Sequence, residues 1–405
     1  MLIPSFVNAM LSNRNIDAII YSWNVPRGGL PKVMLKEYHY LTSKNLNTYF
    51  LTSDKIPESY AEEFSEIKSS VICNPDESAA LTKKDISQYF PGLDMSLEDD
   101  IFTNFVRIFN FLKRNRPNIL IVHQLFSAYL VLPSCLMLRI PYILILHDNP
   151  FLFMEVDINK GENIIKKFTK YVSYLIGNYV IHTAFTTVCT SDRIKLDVIK
   201  HLKIKKSLRI AEYGVDLFPQ NNMEHRDLLL TVTKWSGFRN PEAYLEIARL
   251  LPENVEMVMC GRWDSVDELD KFKGLVVDSG MQNKITVTGE IPEAELSVLY
   301  DRTRVFLRLG FNESGTGQGI YEALGHGCAV VISRTLGASS IVKDGINGFL
   351  VDEKNPVSVV GGILRIFEND ELFKQMSASN YELAKRYDWK NYLETIYQEV
   401  VKIKE

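Results

Sequence analysis

Several ingredients that would fix a function class at once are scarce in this chain of 405 residues. Its five cysteines, Cys73, Cys135, Cys189, Cys260 and Cys328, stand singly, with no pair at metal-ligand spacing. That argues against a disulfide-stapled scaffold or a cysteine metal site and reads as a set of reduced intracellular thiols. Net charge is small, −4 with the histidines neutral, so there is no global pull toward nucleic acid and any anionic ligand has to be met by local groups. No long apolar run survives either. The most hydrophobic stretch, 119–146, is interrupted by His123, Pro133, Arg139 and Pro141, which argues against a membrane-spanning helix and for a strand, a helix and a second strand. The opening residues, MLIPSFVNAMLSNRN, carry no positive charge ahead of their short apolar segment and no convincing cleavage site. They make a poor secretory leader, and cytoplasmic residence is the expectation.

What the chain has in quantity is periodic apolar sequence. With 46% hydrophobic and 24% charged residues the composition is globular, and the length favours two domains, each large enough for its own core. An apolar run at 17–23, the turn-like NVPRGGLP, a helical pattern over 30–43 and a second apolar run at 46–52 form a strand–helix–strand unit. Residues 53–100 are richer in charge and show little periodicity. From 101 the alternation returns as a helix to about 116, the strand NILIVHQ, a helix over 126–138 and the strand PYILILHD, with a helical region and a short strand at 186–189 after it. A second series begins at LLLTVTK and passes through PEAYLEIARLL, VEMVMCG, ITVTG, EAELSVLYD, VFLRL and AVVIS. Such alternation predicts an α/β protein of two doubly wound, Rossmann-like domains separated by a cleft. The expected boundaries are 1–213, a linker at 214–226, a second domain at 227–385 and a C-terminal helix at 386–405 that packs back on the first domain.

Open parallel sheets bind ligands beyond the carboxyl ends of their strands, which draws attention to His123 and His147 at the ends of two apolar runs. The most informative segment is FNESGTGQGIYEALGHGCAVVIS. Small residues there lead into a helix, so backbone amides can approach a phosphate while the helix start favours negative charge. A bare structural turn has the same composition, and the segment alone leaves both readings open.

The same segment resembles the glutamate-rich signature of glycosyltransferase family 4, retaining glycosyl transferases group 1 of the GT-B fold. The match continues through GHGCAVVISRTLGASSIVKDGINGFLV, TVTKWSGFR, VMCG and TGEIPEAELSVLYDRTRVFL, and in the first domain through RGGLPKV and ILHDNP. The resemblance implies a nucleotide-sugar-binding second domain, an acceptor-side first domain and a donor with a diphosphate. Lys234 and Arg239 fall where the family holds an arginine and then a lysine, so both charges are present in swapped order, and Lys234 cannot reproduce a bidentate guanidinium fork. Gly28, Gly29, Ser314, Gly315, Thr316, Gly317, Gln318 and Gly319 fall in the two glycine-rich turns that approach the donor. Glu322, read as lying on the first helical turn, would accept hydrogen bonds from a ribose diol. Glu313 and Glu322 are separated by eight residues, one more than in the family pattern. Either the turn bulges and Glu313 reaches the sugar hydroxyls, the reading adopted here, or Ser314 takes that place with a weaker contact. His147 falls on the strand-ending histidine near the reacting sugar. Each position also has a bland reading: solvated loop cations, a capping glutamate, a hydrogen-bonding strand-end histidine, and a turn at Gly28 and Gly29 shaped by Pro31.

The resulting expectation is a retaining, metal-independent transfer of a hexose from a nucleotide sugar to a lipid-linked, glycan or small-molecule acceptor, with no cofactor beyond the donor and no nucleic-acid partner. The swapped cations and Ser314 leave open a non-catalytic sugar-nucleotide-binding or partner-binding protein of the same fold, and the architecture a sugar-nucleotide epimerase. IIKKFTKYVSYLI and IKLDVIKHLKIKKSLRI combine lysines with apolar residues at helical spacing. They fit both a solvated basic helix face and a peripheral contact with the inner face of a membrane, burying Phe168, Tyr171 or Leu175.

Overall fold

Where β-branched residues and leucines run without interruption, the chain forms strands buried on both faces, the pattern of a parallel sheet covered by helices. A computed structural model describes residues 16–23, 29–53, 56, 61–65, 67, 71–73, 99–150, 164–202, 208–219, 226–235, 239–310 and 317–403. By internal contacts the chain divides into two units, Met1–Ala211 with Leu393–Glu405, and Glu212–Tyr392.

In the first unit β1 (Ala18–Ser22), β2 (Thr48–Thr52), β3 (Val71–Cys73), β4 (Ile119–His123), β5 (Tyr142–Leu146), β6 (Thr186–Cys189) and β7 (Leu208–Ile210) form a parallel sheet in the order β3-β2-β1-β4-β5-β6-β7. Every residue of β1, β4 and β5 is buried. Among the described residues its helices are α1 (Gly29–Ser43), α2 (Ala61–Ser65), α3 (Asp99–Asn115), α4 (Leu125–Leu138), α5 (Ile164–Thr183) and α6 (Asp192–Leu202). Pro133 sits inside α4, so the apolar stretch around it is the strand, helix and strand its interruptions suggest.

The second unit holds β8 (Leu228–Val232), β9 (Glu256–Cys260), β10 (Ile285–Gly289), β11 (Thr303–Arg308), β12 (Ala329–Ser333) and β13 (Gly348–Val351), again parallel, in the order β10-β9-β8-β11-β12-β13. Its helices are α7 (Pro241–Leu250), α8 (Val266–Asp278), α9 (Glu293–Arg302), α10 (Gln318–Gly325), α11 (Pro356–Phe367) and α12 (Asp370–Ala384). Local chemistry starts them: Ser265 accepts from the amide of Glu268 at 3.1 Å, Asn355 from Ser358 ahead of Pro356, and Asn369 from Leu372, each satisfying an otherwise orphaned helix-start donor. Alternate strand residues feed two cores, Leu229, Met257, Val305 and Val331 on one face and Leu228, Leu230, Val258, Phe306 and Val330 on the other. The period of two buries both faces of the sheet.

The last helix, α13 (Trp389–Val401), is divided between the units. Its start packs in the second, where Trp389 closes against Gly214 and Tyr392 against Tyr213. From Leu393 it belongs to the first: Glu394 accepts from the Tyr40 hydroxyl at 2.5 Å, and Glu399 accepts from Thr186 at 2.7 Å and pairs with Arg209 at 3.3 Å. The contact division at Ala211 and Glu212 falls just ahead of the segment read as a linker, because Val215, bonded to the Tyr387 carbonyl, is already core of the second unit.

Candidate functional site

In the second sheet the strand order reverses between β8 and β11, and at such a switch point the loops leaving the two strands diverge beyond their carboxyl ends. Lys234 and Arg239 follow β8, and α10 follows β11, so two groups far apart in sequence leave the sheet on either side of one switch point. Trp235 anchors the first loop. Its ring is fully buried, donates to the Cys260 carbonyl at 3.0 Å and stacks on Trp263 with centroids 5.7 Å apart. Beside this pair Lys234 Nζ meets Asp264 Oδ1 at 2.8 Å, with the lysine side chain 56% exposed. Sequence reading missed Asp264, which lies after the neighbouring strand β9. Arg239 stands partly buried just ahead of α7.

The chain leaving β11 is held by side chains from three places: Leu309 donates its amide to the Tyr244 hydroxyl at 2.9 Å, Gly310 donates to Ser333 at 3.1 Å, and Thr335 donates to the Gly310 carbonyl at 2.7 Å. Glu313, Ser314, Gly315 and Thr316 lie outside the described residues, as does Gly28 in the first unit. At Gly317 the backbone turns with φ +72° immediately before α10, a conformation that favours glycine, and no side chain caps the helix there. Gly319 has a packing role, since a Cβ there would press on the Tyr300 hydroxyl and the Val232 carbonyl at 3.2–3.3 Å. Its position lets α10 sit tightly on β8.

The placement of Glu322 in the first helical turn is corrected. α10 begins at Gln318, and its first turn carries no acidic residue. The helix-start field that falls off within one turn therefore does little for this carboxylate. Glu322 is held instead by Tyr300, whose hydroxyl lies 3.0 Å from Oε2 and 3.2 Å from the Gly319 carbonyl. Burial, and next the charge of Glu322, push the Tyr300 phenol well above its usual range, so it stays a donor.

The first sheet reverses order between β1 and β4. After β1 comes Gly29, the first residue of α1; after β4 comes α4, whose Ser127 accepts from the Trp23 amide at 3.0 Å. His123 ends β4 and His147 follows β5. The fold brings these two together and adds a third group: His123 Nδ1 lies 2.9 Å from His147 Nε2, and His123 Nε2 lies 2.9 Å from Glu37 Oε2 of α1. Burial, and next the neighbouring His123, push His147 well below the usual histidine range. It is a neutral imidazole near neutral pH. Burial pushes the thiols of Cys135, Cys189 and Cys328 up to about 12, which leaves them without nucleophilic character. Among the described residues no group of three or more His, Cys, Asp or Glu could hold a metal ion, and no helix is long and apolar enough to cross a membrane.

Two Rossmann-like units in tandem are the architecture of the GT-B glycosyltransferases, and solved structures share it over nearly the whole chain. Anabaena HepE in complex with UDP and glucose superposes with a TM-score of 0.73 at 12% identity, covering 95% of this chain and 99% of that one. Sucrose-phosphate synthase from Thermosynechococcus elongatus gives 0.74 at 13% identity, covering 95% and 98%. The sequence matches the family model Glycosyltransferase Family 4 over residues 28–217 and the model Glycosyl transferases group 1 over 216–383. The chain belongs to this glycosyltransferase family, as the sequence motifs implied. Among curated relatives, an uncharacterised glycosyltransferase of Methanocaldococcus jannaschii is 22% identical over 260 residues, 60% of this chain and 64% of that protein. The poly(glycerol-phosphate) alpha-glucosyltransferase of Bacillus subtilis is 26% identical over 134 residues, 32% and 19%. The chain thus spans less than two thirds of the length of these relatives.

Proposed function

We propose that this glycosyltransferase moves a hexose from a nucleoside diphosphate sugar to an acceptor hydroxyl, with retention at the anomeric carbon and without a metal ion. The observation that carries the reading is that Lys234 and Arg239 follow β8 while α10, with Glu322, follows β11, the two strands on either side of the switch point, and that Gly319 of α10 lies against the Val232 carbonyl of β8. Structural neighbours solved with bound UDP, HepE and the pneumococcal O-GlcNAc transferase GtfA, support such a donor.

In this reading the bond between the anomeric carbon and the diphosphate oxygen breaks, and the bond to the acceptor oxygen forms on the same face. The acceptor proton passes to the departing diphosphate. Charge accumulates on that diphosphate, and Lys234, Arg239 and the amides opening α10 stabilise it where other transferases use a metal. Glu322, its Oε2 held by Tyr300, accepts from the ribose diol, Glu313 accepts from the sugar hydroxyls, and His147 hydrogen-bonds the transferred sugar. The swapped order of the cations favours point-charge recognition at Lys234 and a planar fork at Arg239. Product formation from a panel of nucleotide sugars, with the anomeric coupling of the product read by NMR, tests the proposal. Transfer with retention, lost in Glu322→Ala and His147→Ala, supports it; an inverted product or no transfer from any donor counts against it.

The acceptor is lipid-linked, a glycan or a small molecule, the protein is cytoplasmic, and a peripheral contact with the inner face of a membrane is a second reading beside a solvated basic helix face. Tyr171, Leu175 and Tyr179 recur every fourth residue along α5 and are exposed, as are Leu196 and Ile199 on α6. Apolar side chains at helical spacing on a segment that also carries Lys166, Lys167 and Lys170 suit an anionic lipid surface. Cosedimentation with anionic vesicles should succeed at low salt and fail at high salt or in the triple lysine-to-glutamate variant. A protein that stays in the supernatant at low salt removes the membrane reading and favours a soluble acceptor.

A further inference from the structure

We propose that Glu37 and His123 are positioning residues, which set the hydrogen-bonding polarity of His147 through a line of three side chains inside the first unit. The inference rests on His147 being the sugar-facing group of the proposed function, but its physical core does not depend on that role.

Glu37 is a carboxylate in an environment that otherwise suits an apolar side chain. The residue lies in the interior of α1, and the side chains of Glu37 and His123 are both 0% exposed. Burying an ionisable group costs several kcal/mol unless it is fully partnered. The contacts form one line: Glu37 Oε2 to His123 Nε2, 2.9 Å, then His123 Nδ1 to His147 Nε2, 2.9 Å. The two imidazoles are nearly parallel, with an angle of 6° between their planes.

In the proposed state, with Glu37 ionised and both imidazoles neutral, proton counting gives the direction of these two bonds. An ionised carboxylate only accepts, so His123 donates from Nε2. A neutral His123 has its lone pair on Nδ1, so His147 donates from Nε2. His147, itself neutral, then carries its ring lone pair on Nδ1, so that this atom accepts and does not donate. One extra proton on Glu37 or His123 reverses the second bond and turns Nδ1 of His147 into a donor. The buried carboxylate therefore chooses which partner the imidazole can serve. An orienting carboxylate of this kind can be worth up to about 10⁴ in kcat.

Glu37 could instead do no more than satisfy a buried histidine. Long-range 1H–15N correlation spectra of the full-length protein labelled with 15N-histidine separate the two roles, with the His147 signals assigned by their loss in His147→Gln. In the ligand-free wild type His147 is expected with its proton on Nε2. The isosteric Glu37→Gln, whose amide can donate as well as accept, should move His147 toward the Nδ1–H form. It should also lower kcat at least about tenfold while KM for the donor stays within about twofold. Glu37→Asp, which keeps the charge, should retain the Nε2–H form. A wild-type His147 protonated on Nδ1 overturns the proposal by itself, even if no variant folds. So does a His147 tautomer that is the same in wild type and a folded Glu37→Gln. A chain that transfers no sugar yet shows the Glu37-dependent tautomer would remove the proposed function and leave this inference standing.

Discussion

At the switch point of the first sheet Glu37 and His123 are buried and bonded in line with His147, whereas at the equivalent place in the second sheet Lys234 and Asp264 form an ion pair that reaches solvent. Glu37 and His123 have no exposed side-chain surface; Lys234 and Asp264 are 56% and 41% exposed. The same parallel architecture thus supports two kinds of chemistry. A buried line of hydrogen bonds holds one neutral imidazole in a fixed protonation pattern, because reorganising it would leave a desolvated group unpaired. A solvated cation at a strand end pays little to exchange a surface carboxylate for a phosphate. The first arrangement suits orienting a reacting group, the second binding and releasing a charged ligand.

The contrast breaks most visibly if the cations are removed. Lys234→Ala combined with Arg239→Ala should weaken nucleoside diphosphate binding by roughly 10²- to 10⁴-fold, at about 1.5–3 kcal/mol for each charge-assisted hydrogen bond. Isothermal titration reads this directly. His147→Ala should act the other way round: kcat falling about 10²- to 10³-fold, with nucleotide affinity changed less than about threefold. If affinity falls and kcat does not, the division of roles between the units is wrong.

Acidification sharpens the comparison through stability. Because the folded-state value of His147 lies below its ordinary 6.5, the unfolded chain binds more protons in the interval between the two. The contribution of His147 to stability is therefore fully present above about 6.5 and is lost progressively as pH falls from there to the lower folded-state value. Denaturant unfolding of the first unit should show this decline, and His147→Asn should flatten it. Persistence of the full decline in that variant would assign it to other groups. The smallest effect is expected at Asp264. An exposed ion pair is worth about 0–1 kcal/mol, so Asp264→Asn should raise nucleoside diphosphate affinity by at most about fivefold. A loss of affinity would mean that Asp264 positions Lys234 and does not compete for it.

Much of the fold was legible because parallel strands covered on both faces are continuous apolar runs. PYILILHD and AVVIS could hardly be anything else, and β5 and β12 appear within a residue or two of those limits. The three-residue strands β3 and β7 were not legible: they are too short for a period to show, and Arg209 stands exposed in the middle of β7. At the candidate sites, His147, Lys234 and Arg239 were marked by strand ends and family motifs. Their partners were not. Glu37 is separated from His123 by 86 positions, and within LPKVMLKEYHYL it looks like any solvated helix carboxylate. Asp264 and the Tyr300 hydroxyl under Glu322 are equally ordinary in sequence. Each becomes specific only when neighbouring strands bring its loop or helix to the same end of the sheet.

The central claim is that the nucleoside diphosphate part of the donor is held mainly by the second unit, at its switch point. Hydrogen–deuterium exchange of the full-length protein, with and without the nucleoside diphosphate that raises its melting temperature most, tests this directly. Protection is expected over residues 233–239 and 317–322, with the segment around His123 and His147 unchanged. Protection confined to the first unit, or absent from both of those segments while the nucleotide is bound, would contradict the account.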